Sequence, residues 1–308
     1  MSWKPIIVRV DESPESASAA ALGWRIAQAA GVTCHFVHAT RDIRGSLDLG
    51  QTQEAAEELQ LRLLTAVRQR VERPLEDRLP TEALRYLVVR AGRAPAILQR
   101  AVADYDAGLV VLGGKHHSAL SRWLGGSTAH LAARTLDVPI LVTTGAATAT
   151  RRVLAAVDLS HAARPTVEAA ERFARLFGGW LRVVHACEPP PPIPEVPFPV
   201  RLDTFEQVTH DRLEREIWPL VTYPAADKAV RTGFAAETIA REASEWDADL
   251  VVVGSHGKGW VDRLLIGSVT EQLLSHLPTS LLIVPVPAPE RRDAIPVTES
   301  RIVLASAL

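Results

Sequence analysis

A glycine-rich segment in the second half of the chain has residue types and spacing suited to phosphate binding. Gly254-Ser255-His256-Gly257 is followed, nine residues later, by Gly267-Ser268. Glycine adopts the positive φ of tight turns at no steric cost. A helix that begins near Ser268 would present free N–H groups and the positive end of its dipole to an anion. The Ser268 hydroxyl group could add one more donor, so this pattern predicts a phosphate-binding loop.

The same residues allow other interpretations. Ser268 and Glu271 have the spacing of a capping box, in which Ser268 would be the N-cap and would serve only the helix. His256 and Lys258 could screen phosphate charge or could be solvated loop residues, and for His256 the solvated position is favoured. The chain has neither the GxxxxGK[ST] pattern of a P-loop nor the GxGxxG dinucleotide pattern, so a phosphate site here is of another kind.

The chain repeats itself, which places a second copy of these residues in its first half. The segment 6–13 matches 153–160, at an offset of 147 residues, and the glycine segments match at an offset of 141. Further matched pairs are Gly31 with Gly178, Gly92 with Gly233, and Asp106 with Asp247. A period of about 145 residues is too long for a solenoid unit and indicates a duplicated domain.

Each copy predicts five strands alternating with helices. Short continuous apolar runs are typical of parallel strands buried on both faces. The runs are Ile6–Val10, Cys34–Val37, Arg85–Val89, Leu109–Leu112, Ile140–Thr143, Val153–Val157, Leu181–His185, Lys228–Arg231, Leu250–Val253 and Leu281–Val284. Helical spacing of apolar residues occurs at Ala56, Leu59, Leu63 and Val67, and again at Val167, Ala170, Ala174 and Phe177. The alternation predicts α/β domains with open parallel sheets, helices on both faces and right-handed crossovers.

The small and polar segment Gly145–Arg151 is the predicted boundary between the copies. We therefore expect a first domain at 1–147, a second at 148–290 and a tail of unknown structure at 291–308. The proline-rich segment Pro189–Pro199 follows the second strand of the second copy, at the edge of the sheet where ligands bind. This segment could be a stiff lid over the ligand, or it could be a rim segment without a ligand role.

The glycine pattern, together with the strand that precedes it, resembles the universal stress protein family. The pattern G-x2-G-x9-G-[ST] follows Val251-Val252-Val253, the first strand of the second copy ends in Ala156-Val157-Asp158, and its second strand ends in His185-Ala186. The resemblance covers nearly all of residues 1–290 and implies a tandem member. It implies Rossmann-like sheets with strand order 3-2-1-4-5, a role in stress response, and ATP or another adenine nucleotide, with or without magnesium, in some members and none in others.

The resemblance also assigns roles to residues of the second copy. Asp158 would hold the ribose hydroxyl groups, and the backbone near Ala186 would meet adenine. Ala156 and Val253 would flank this site at the strand ends. The residues expected around the ribose and phosphates are Gly254, Ser255, Gly257, Gly267, Ser268 and Val269. An N-cap or turn role before the next helix is the alternative for Asp158.

The first copy departs from the pattern. Its equivalent site residues would be Asp11, Ala39, Gly113, Gly126 and Ser127. His116 stands where the second glycine is expected, and a β-carbon disfavours positive φ. Arg9 lies two residues before Asp11 on the same strand face, where the second copy has Ala156. Arg9 could reach into the nucleotide space or pair with Asp11 and occupy it, so we expect nucleotide chiefly in the second domain. Alternatively, Arg9, Lys115, His116 and His117 could bind a different anion.

The remaining sequence features limit the function classes. The net charge of −2 gives no reason to expect a nucleic acid or membrane partner. The two cysteines, the short apolar run at the N-terminus and the lack of a stretch of about 20 apolar residues predict a cytoplasmic protein without a membrane span. No nucleophile–base arrangement or metal-ligand spacing is visible. A nucleotide-binding regulator with unknown protein partners is therefore favoured, and a nucleotide-free interaction module and a slow ATPase are the alternatives.

The fifth strand of each copy would lie at a sheet edge in the implied order. Apolar edges invite pairing with another chain unless they are covered. Mutual pairing of Ile140–Thr143 with Leu281–Val284 would cover both, which predicts a pseudo-dimer within one chain. Further dimerisation stays open.

Overall fold

A computed structural model describes residues 2–44, 53–114, 128–144, 150–188, 202–256 and 266–286. Within these ranges the chain folds as two successive copies of an alternating strand and helix unit, as the repeat predicts. The expected linker, the proline-rich segment and the tail fall wholly or largely outside the described residues.

Ten described strands, β1 to β10, form one sheet, and nine described α-helices, α1 to α9, cover it. The strands are Ile6–Arg9, Cys34–Thr40, Leu87–Ala91, Leu109–Gly113, Ile140–Thr143, Arg152–Ala156, Trp180–Cys187, Ala226–Thr232, Leu250–Gly254 and Ser280–Val284. The helices are Pro14–Ala30, Gln53–Glu76, Thr81–Leu84, Ala94–Asp104, Thr128–Thr135, Ala163–Phe177, Leu202–Arg212, Ala235–Glu245 and Ser268–Ser275. A π-helical turn, Leu213–Ile217, and a 3₁₀ turn, Trp218–Leu220, extend α7.

The strand order is β3-β2-β1-β4-β5-β10-β9-β6-β7-β8. Each half therefore has the predicted order 3-2-1-4-5, and the strands within a half are parallel. β5 and β10 pair antiparallel, with Leu141 opposite Leu282. This pairing confirms the expected pseudo-dimer, because the edge strand of one half covers the edge strand of the other.

The predicted strands all form, and their ends differ from the prediction by a few residues at most. β2 continues three residues beyond the predicted Val37, to Thr40, and β3 begins at Leu87 rather than at Arg85. The short helix α3 ends at Leu84, and the Tyr86 N–H still donates to the Ala83 carbonyl oxygen at 3.1 Å. This turn keeps residues 85 and 86 out of the strand.

Both faces of the sheet are buried, which explains why the strands are apolar at successive positions. Ile6 and Val8 belong to one core with α1, α2, α6 and the turn that follows α7. Ile7 faces the opposite core, with α4, α5, α8 and α9. Alternate residues of a strand point to opposite faces, so each needs an apolar neighbour on its own side.

The helical patterns are only partly confirmed. In α6, the residues Val167, Ala170 and Ala174 are fully buried, as predicted. In α2, however, Leu59 is 42% exposed, and Gln60 takes the buried position. The Gln60 side-chain oxygen accepts a hydrogen bond from the Ile43 N–H at 2.9 Å, and this bond offsets part of the cost of burying an amide.

Some residues shared by the two copies are explained by the backbone. Gly31 and Gly178 end α1 and α6 in the left-handed region, with φ of 66° and 57°. Asp106 and Asp247 also have positive φ, at 46° and 48°. Glycine reaches this region freely, and aspartate does so more readily than most residues. The repeat thus preserves turn geometry as well as the core.

Side chains as well as strands join the two halves. The Trp3 ring packs edge-on against Phe173, with 5.4 Å between centroids. The Arg172 guanidinium carbon lies 4.4 Å from the Trp3 ring centroid, within cation–π range. α1 also packs against α6 on this face and α5 against α9 on the other, so the junction is covered on both sides.

Two further observations concern the whole chain. None of the helices within the described ranges is both long and apolar enough to cross a membrane. Cys34 and Cys187 are both buried and form no disulfide.

Candidate functional site

A cavity of about 530 Å³ opens at the carboxyl ends of the strands in the second half. It lies where the strand order reverses, with β7 on one side of β6 and β9 on the other. Ligands of open α/β sheets bind at this point, and the volume is in the range of small-molecule sites. Eight of the ten residues expected to bind a cofactor in this half line it. They are Ala156, Asp158, Ala186, Val253, Gly254, Gly267, Ser268 and Val269.

The other two expected residues are placed differently. Ser255 is buried and does not belong to the lining. Its hydroxyl oxygen accepts a hydrogen bond from the Val286 N–H at 3.1 Å and lies 2.9 Å from Nδ1 of His256. Its side chain therefore ties the loop to the segment that follows β10. Gly257 lies outside the described residues, as does Lys258.

Two hydrogen bonds hold the start of α9 against the end of β9. The Gly267 N–H donates to the Ser255 carbonyl oxygen, and the Thr270 hydroxyl group donates to the Gly254 carbonyl oxygen, each at 2.9 Å. A β-carbon at Gly254 would lie 3.0 Å from the Ala162 β-carbon. Glycine therefore allows the end of β9 to approach the start of α6, and this contact shapes the cavity floor.

The N-terminus of α9 faces the cavity, and no side chain within the described residues caps it. Gly267, not Ser268, is the N-cap, because the Glu271 N–H donates to the Gly267 carbonyl oxygen at 2.9 Å. The capping-box interpretation, in which Ser268 is the N-cap, is therefore wrong, because the N-cap lies one residue earlier. Ser268 is the first helical residue, and its exposed side chain lines the cavity. Among the described residues, none accepts a hydrogen bond from the backbone N–H of Ser268, Val269 or Thr270, which suits an anion.

Asp158 follows the end of β6 and lies in the cavity wall. One of its carboxylate oxygens accepts a hydrogen bond from the Ser160 hydroxyl group at 2.5 Å. The N-cap of α6 is Ala162, so the N-cap interpretation of Asp158 is wrong, whereas a local turn contact is present. Two residues earlier, Ala156 also lines the cavity and its methyl group leaves space beside the carboxylate.

His185 has a structural contact that is repeated in the first half. Its Nδ1 lies 2.8 Å from the Val157 carbonyl oxygen, and Nδ1 of His38 lies 2.8 Å from the Val10 carbonyl oxygen. Each contact joins the ends of two neighbouring strands. Among the described residues, no group of three or more histidine, cysteine or acidic side chains is placed to hold a metal ion.

His256 is buried in the cavity wall rather than solvated, contrary to the expectation from its loop position. Only 8% of the residue is exposed, and its Nδ1 lies 2.9 Å from the Ser255 hydroxyl oxygen. Burial lowers the pKa of His256, and the charge of His161 nearby lowers that pKa further. The imidazole is therefore neutral at neutral pH, so it serves the wall as a hydrogen-bonding group rather than as a cation.

This lowered pKa predicts a pH-dependent stability. Below the unfolded value of about 6.5, the unfolded chain protonates His256 more readily than the folded protein does, so folding loses stability as pH falls. We expect the free energy of unfolding, measured by urea titration between about pH 7.5 and 5.5, to fall more in the wild type than in His256→Asn. Asparagine can keep a hydrogen bond to Ser255 but does not titrate. Equal pH dependence in both proteins would contradict this account.

In the first half, an ion pair occupies the end of β1. The equivalent place in the second half, at the end of β6 beside Ala156, is open. The Arg9 guanidinium nitrogen lies 2.9 Å from an Asp11 carboxylate oxygen, and both side chains are largely buried. Of the two arrangements considered for Arg9, the structure therefore has the pair. Burial acts to raise the pKa of Asp11, but hydrogen bonds from Ser13 and the charge of Arg9 outweigh it and the pKa is lowered. The carboxylate thus stays charged and engaged within the protein.

The end of β4 in the first half is also closely packed. A β-carbon at Gly113 would lie 2.9 Å from the backbone of Glu15, because α1 begins at Pro14 and packs directly on the end of β4. In the second half, α6 begins two residues later in the alignment of the repeat. Ala39 lies near the end of β2. Gly126, Ser127 and the cationic residues proposed for a different anion, apart from Arg9, are outside the described residues.

Several lining residues belong to no motif and were not anticipated. α7 contributes Val208, Thr209 and Arg212, and α8 contributes Ala235 and Ile239. Glu188 also lines the cavity, and its carboxylate accepts a hydrogen bond from the Ala235 N–H at 2.7 Å. The signal that could have found them is positional, since the segments after β7 and β8 must pass the carboxyl edge of the sheet. Which residues of these segments face the cavity depends on how α7 and α8 pack against the sheet.

Comparison with known proteins gives consistent matches in both halves. The sequence profile described as "Universal stress protein family" matches residues 2–144 and 149–285. A Thermus aquaticus protein named "Universal stress protein in QAH/OAS sulfhydrylase 3'region" is 34% identical over 140 residues, which is 44% of this chain and 98% of that protein. Universal stress protein A homolog 1 of Coxiella burnetii is 28% identical over 119 residues, 37% of this chain and 83% of its own.

Solved structures share the fold over the whole tandem arrangement. A universal stress protein from Archaeoglobus fulgidus superposes with a TM-score of 0.55 at 16% identity, covering 91% of this chain and 98% of its own. A putative universal stress protein from Pseudomonas aeruginosa has a TM-score of 0.59 at 18% identity, covering 92% and 93%. The two profile matches, supported by this common fold, show that the chain belongs to the universal stress protein family and carries two of its domains in tandem.

Proposed function

We propose that the second domain binds ATP or a related adenine nucleotide and that the chain acts as a nucleotide-dependent regulator in the stress response. The observation that carries the proposal is the cavity at the strand-order reversal, where most of the expected nucleotide-binding residues come together. A cytoplasmic location and partner proteins not yet identified belong to the same proposal. Two buried, unpaired cysteines are compatible with a reducing compartment.

The chemistry of the cavity wall fits a nucleotide at both ends. Asp158 offers carboxylate oxygens, which can accept hydrogen bonds from vicinal ribose hydroxyl groups. The first turn of α9 offers backbone N–H groups and the Ser268 hydroxyl group to phosphate oxygens. The strand order places these two features on neighbouring strand ends, β6 and β9. A magnesium ion, where one takes part, would be held largely by the nucleotide phosphates, as is common for this ion.

The first domain is not a nucleotide site in this proposal. Arg9 and Asp11 neutralise each other where Ala156 leaves space in the second domain. A ribose there would have to displace a largely buried ion pair, and removing one partner of such a pair leaves the other charge uncompensated. Two domains of one family are thus expected to differ in function because of one residue pair.

Equilibrium titration with ATP tests this proposal through its stoichiometry. We expect about one ATP per chain, since one domain has the open cavity and the other is closed by its own ion pair. Isothermal titration calorimetry of the full-length protein measures the ratio. A separate sample of the protein should first be denatured and the small molecules that it releases analysed by mass spectrometry. A nucleotide that co-purifies with the protein would otherwise mask the site.

Two results would contradict parts of the proposal. Two equivalent sites per chain would show that the ion pair does not close the first domain. No binding of ATP, ADP or AMP by nucleotide-free protein would favour the alternative class, an interaction module in which the glycine loops serve only the fold.

A further inference from the structure

The cavity extends beyond the phosphate and ribose positions into a slot between α7 and α8. Val208, Thr209 and Arg212 form its wall on one side of the sheet, and Ala235 and Ile239 form the wall from the other side. Ala186 and Cys187, at the end of β7, form its floor. In the strand order, β7 and β9 lie on opposite sides of β6, so this slot is at the far end of the cavity from α9. With phosphates at α9, the slot is the place left for the base.

Arg212 is the only lysine or arginine among the described residues that line the cavity. Its Nε and Nη2 lie 3.0 Å and 2.9 Å from the two carboxylate oxygens of Glu216, which is a bidentate arrangement. Such a pair fixes the plane of the guanidinium group. The hydrogen bonds lie in that plane, so its faces are available for stacking.

The helix that carries Arg212 departs from regular geometry directly after it. The π-helical turn Leu213–Ile217 follows, and Leu213 and Ile217 are buried in the core. The corresponding helix of the first half, α2, is α-helical throughout Gln53–Glu76. π-Helical turns are uncommon in proteins, and those that do occur are often found at functional sites. Here the turn joins a segment that faces the cavity to one that faces the core.

We propose that Arg212 covers the nucleobase of the bound nucleotide with the face of its guanidinium group, opposite the apolar wall of α8. The inference rests on the proposed function, because it assumes a nucleotide in this cavity. Guanidinium groups stack on aromatic rings, whereas the ammonium group of lysine is a point charge. Glu216 is then a positioning residue that holds the guanidinium plane, and base binding in this domain depends on a residue outside the glycine-loop motif.

Binding of three probes by the full-length protein tests the assignment. The probes are ATP, adenosine and inorganic triphosphate, and the proteins are wild type, Arg212→Ala, Arg212→Lys and Arg215→Ala. We expect Arg212→Ala to weaken ATP and adenosine by the same factor, about five- to tenfold, which is the size of a partly desolvated cation–π contact. Arg212→Lys should lose a smaller part of both affinities, because an ammonium group can approach the base but has no planar face to stack on it, and triphosphate binding should not change. Arg215 is exposed, lies on the same helical segment and does not line the cavity, so Arg215→Ala should keep all three affinities.

The outcomes separate this inference from the proposed function. Loss of ATP and triphosphate binding without loss of adenosine binding would show that Arg212 contacts phosphate, and wild-type affinity in Arg212→Lys would show that it acts as a charge. Either result, or an unchanged Arg212→Ala, overturns the inference while ATP binding by the wild type upholds the proposed function. Absence of ATP binding in the wild type overturns both. Circular dichroism of each variant shows whether a change in affinity comes from a change in fold.

Discussion

Replacing Asp158 with alanine is expected to lower the affinity for ATP by about 10- to 100-fold, the size of a lost hydrogen-bonding carboxylate. The carboxylate is in the wall of the cavity at the end of β6, beside the space that Ala156 leaves. Alanine removes both carboxylate oxygens of Asp158, whereas the loss of the Ser268 hydroxyl group would leave the N–H groups of α9 in position. Calorimetric titration of full-length Asp158→Ala with ATP measures the effect.

The duplicated domain offers a matched control. Asp11 occupies the equivalent position in the first half but is paired with Arg9. Asp11→Ala should therefore leave ATP affinity and stoichiometry unchanged. Thermal unfolding of both variants is needed, since each carboxylate also accepts a hydrogen bond from a nearby serine. Equal loss of affinity in both variants, or none in folded Asp158→Ala, would remove Asp158 from the binding site.

The sheet was predictable because its strands are recognisable without knowledge of their neighbours. Strands buried on both faces must be apolar at successive positions, and Val251-Val252-Val253 is an example in which all three residues are buried. The repeat then gave the same elements twice. The residues around the cavity were predictable for a related reason, because they stand at strand ends or at a helix start, where chain order alone fixes the edge of the sheet they reach.

What the sequence could not establish depends on contacts between distant segments. His256 is buried because its loop is held through Ser255 to Val286, which follows another strand. The polar composition of the loop does not indicate that contact. The N-cap of α9 differs by one residue from the predicted one, because the Gly267 carbonyl oxygen accepts the first helical hydrogen bond. Arg212 faces the cavity in a register associated with a π-helical turn, which periodicity rules for α-helices do not anticipate.

Arg9 shows a third kind of limit. Its position on the strand established that it would share a face with Asp11, but not whether it would point into the nucleotide space or pair with the carboxylate. Both arrangements satisfy the local geometry. The choice between them depends on the balance between a buried ion pair and an exposed cation, which is a property of the folded site. The pair forms, at 2.9 Å, with both side chains more than two-thirds buried.

The first half made alone, residues 1–147, is expected to dimerise or aggregate. In the whole chain, β10 pairs with β5 along Leu281 to Ile283, so the backbone groups on that side of β5 are satisfied. Without the second half, β5 becomes an edge strand whose residues, Ile140–Thr143, are at most 2% exposed in the intact protein. An apolar edge strand with unpaired N–H and C=O groups is a template for pairing with another copy. Sedimentation over a range of concentrations would detect the increase in mass.

The full-length protein at the same concentrations is the control, because its β5 is already covered. Trp3 adds to the expectation, since it loses its contacts with Phe173 and Arg172 when the second half is removed. A pair of first halves could restore the antiparallel β5 contact but not the packing of Trp3 against a second aromatic ring, because the position equivalent to Phe173 in the first half is Ile26. A lone first half that stays monomeric and cooperatively folded at high concentration would mean that the junction between β5 and β10 adds little to the stability of either domain.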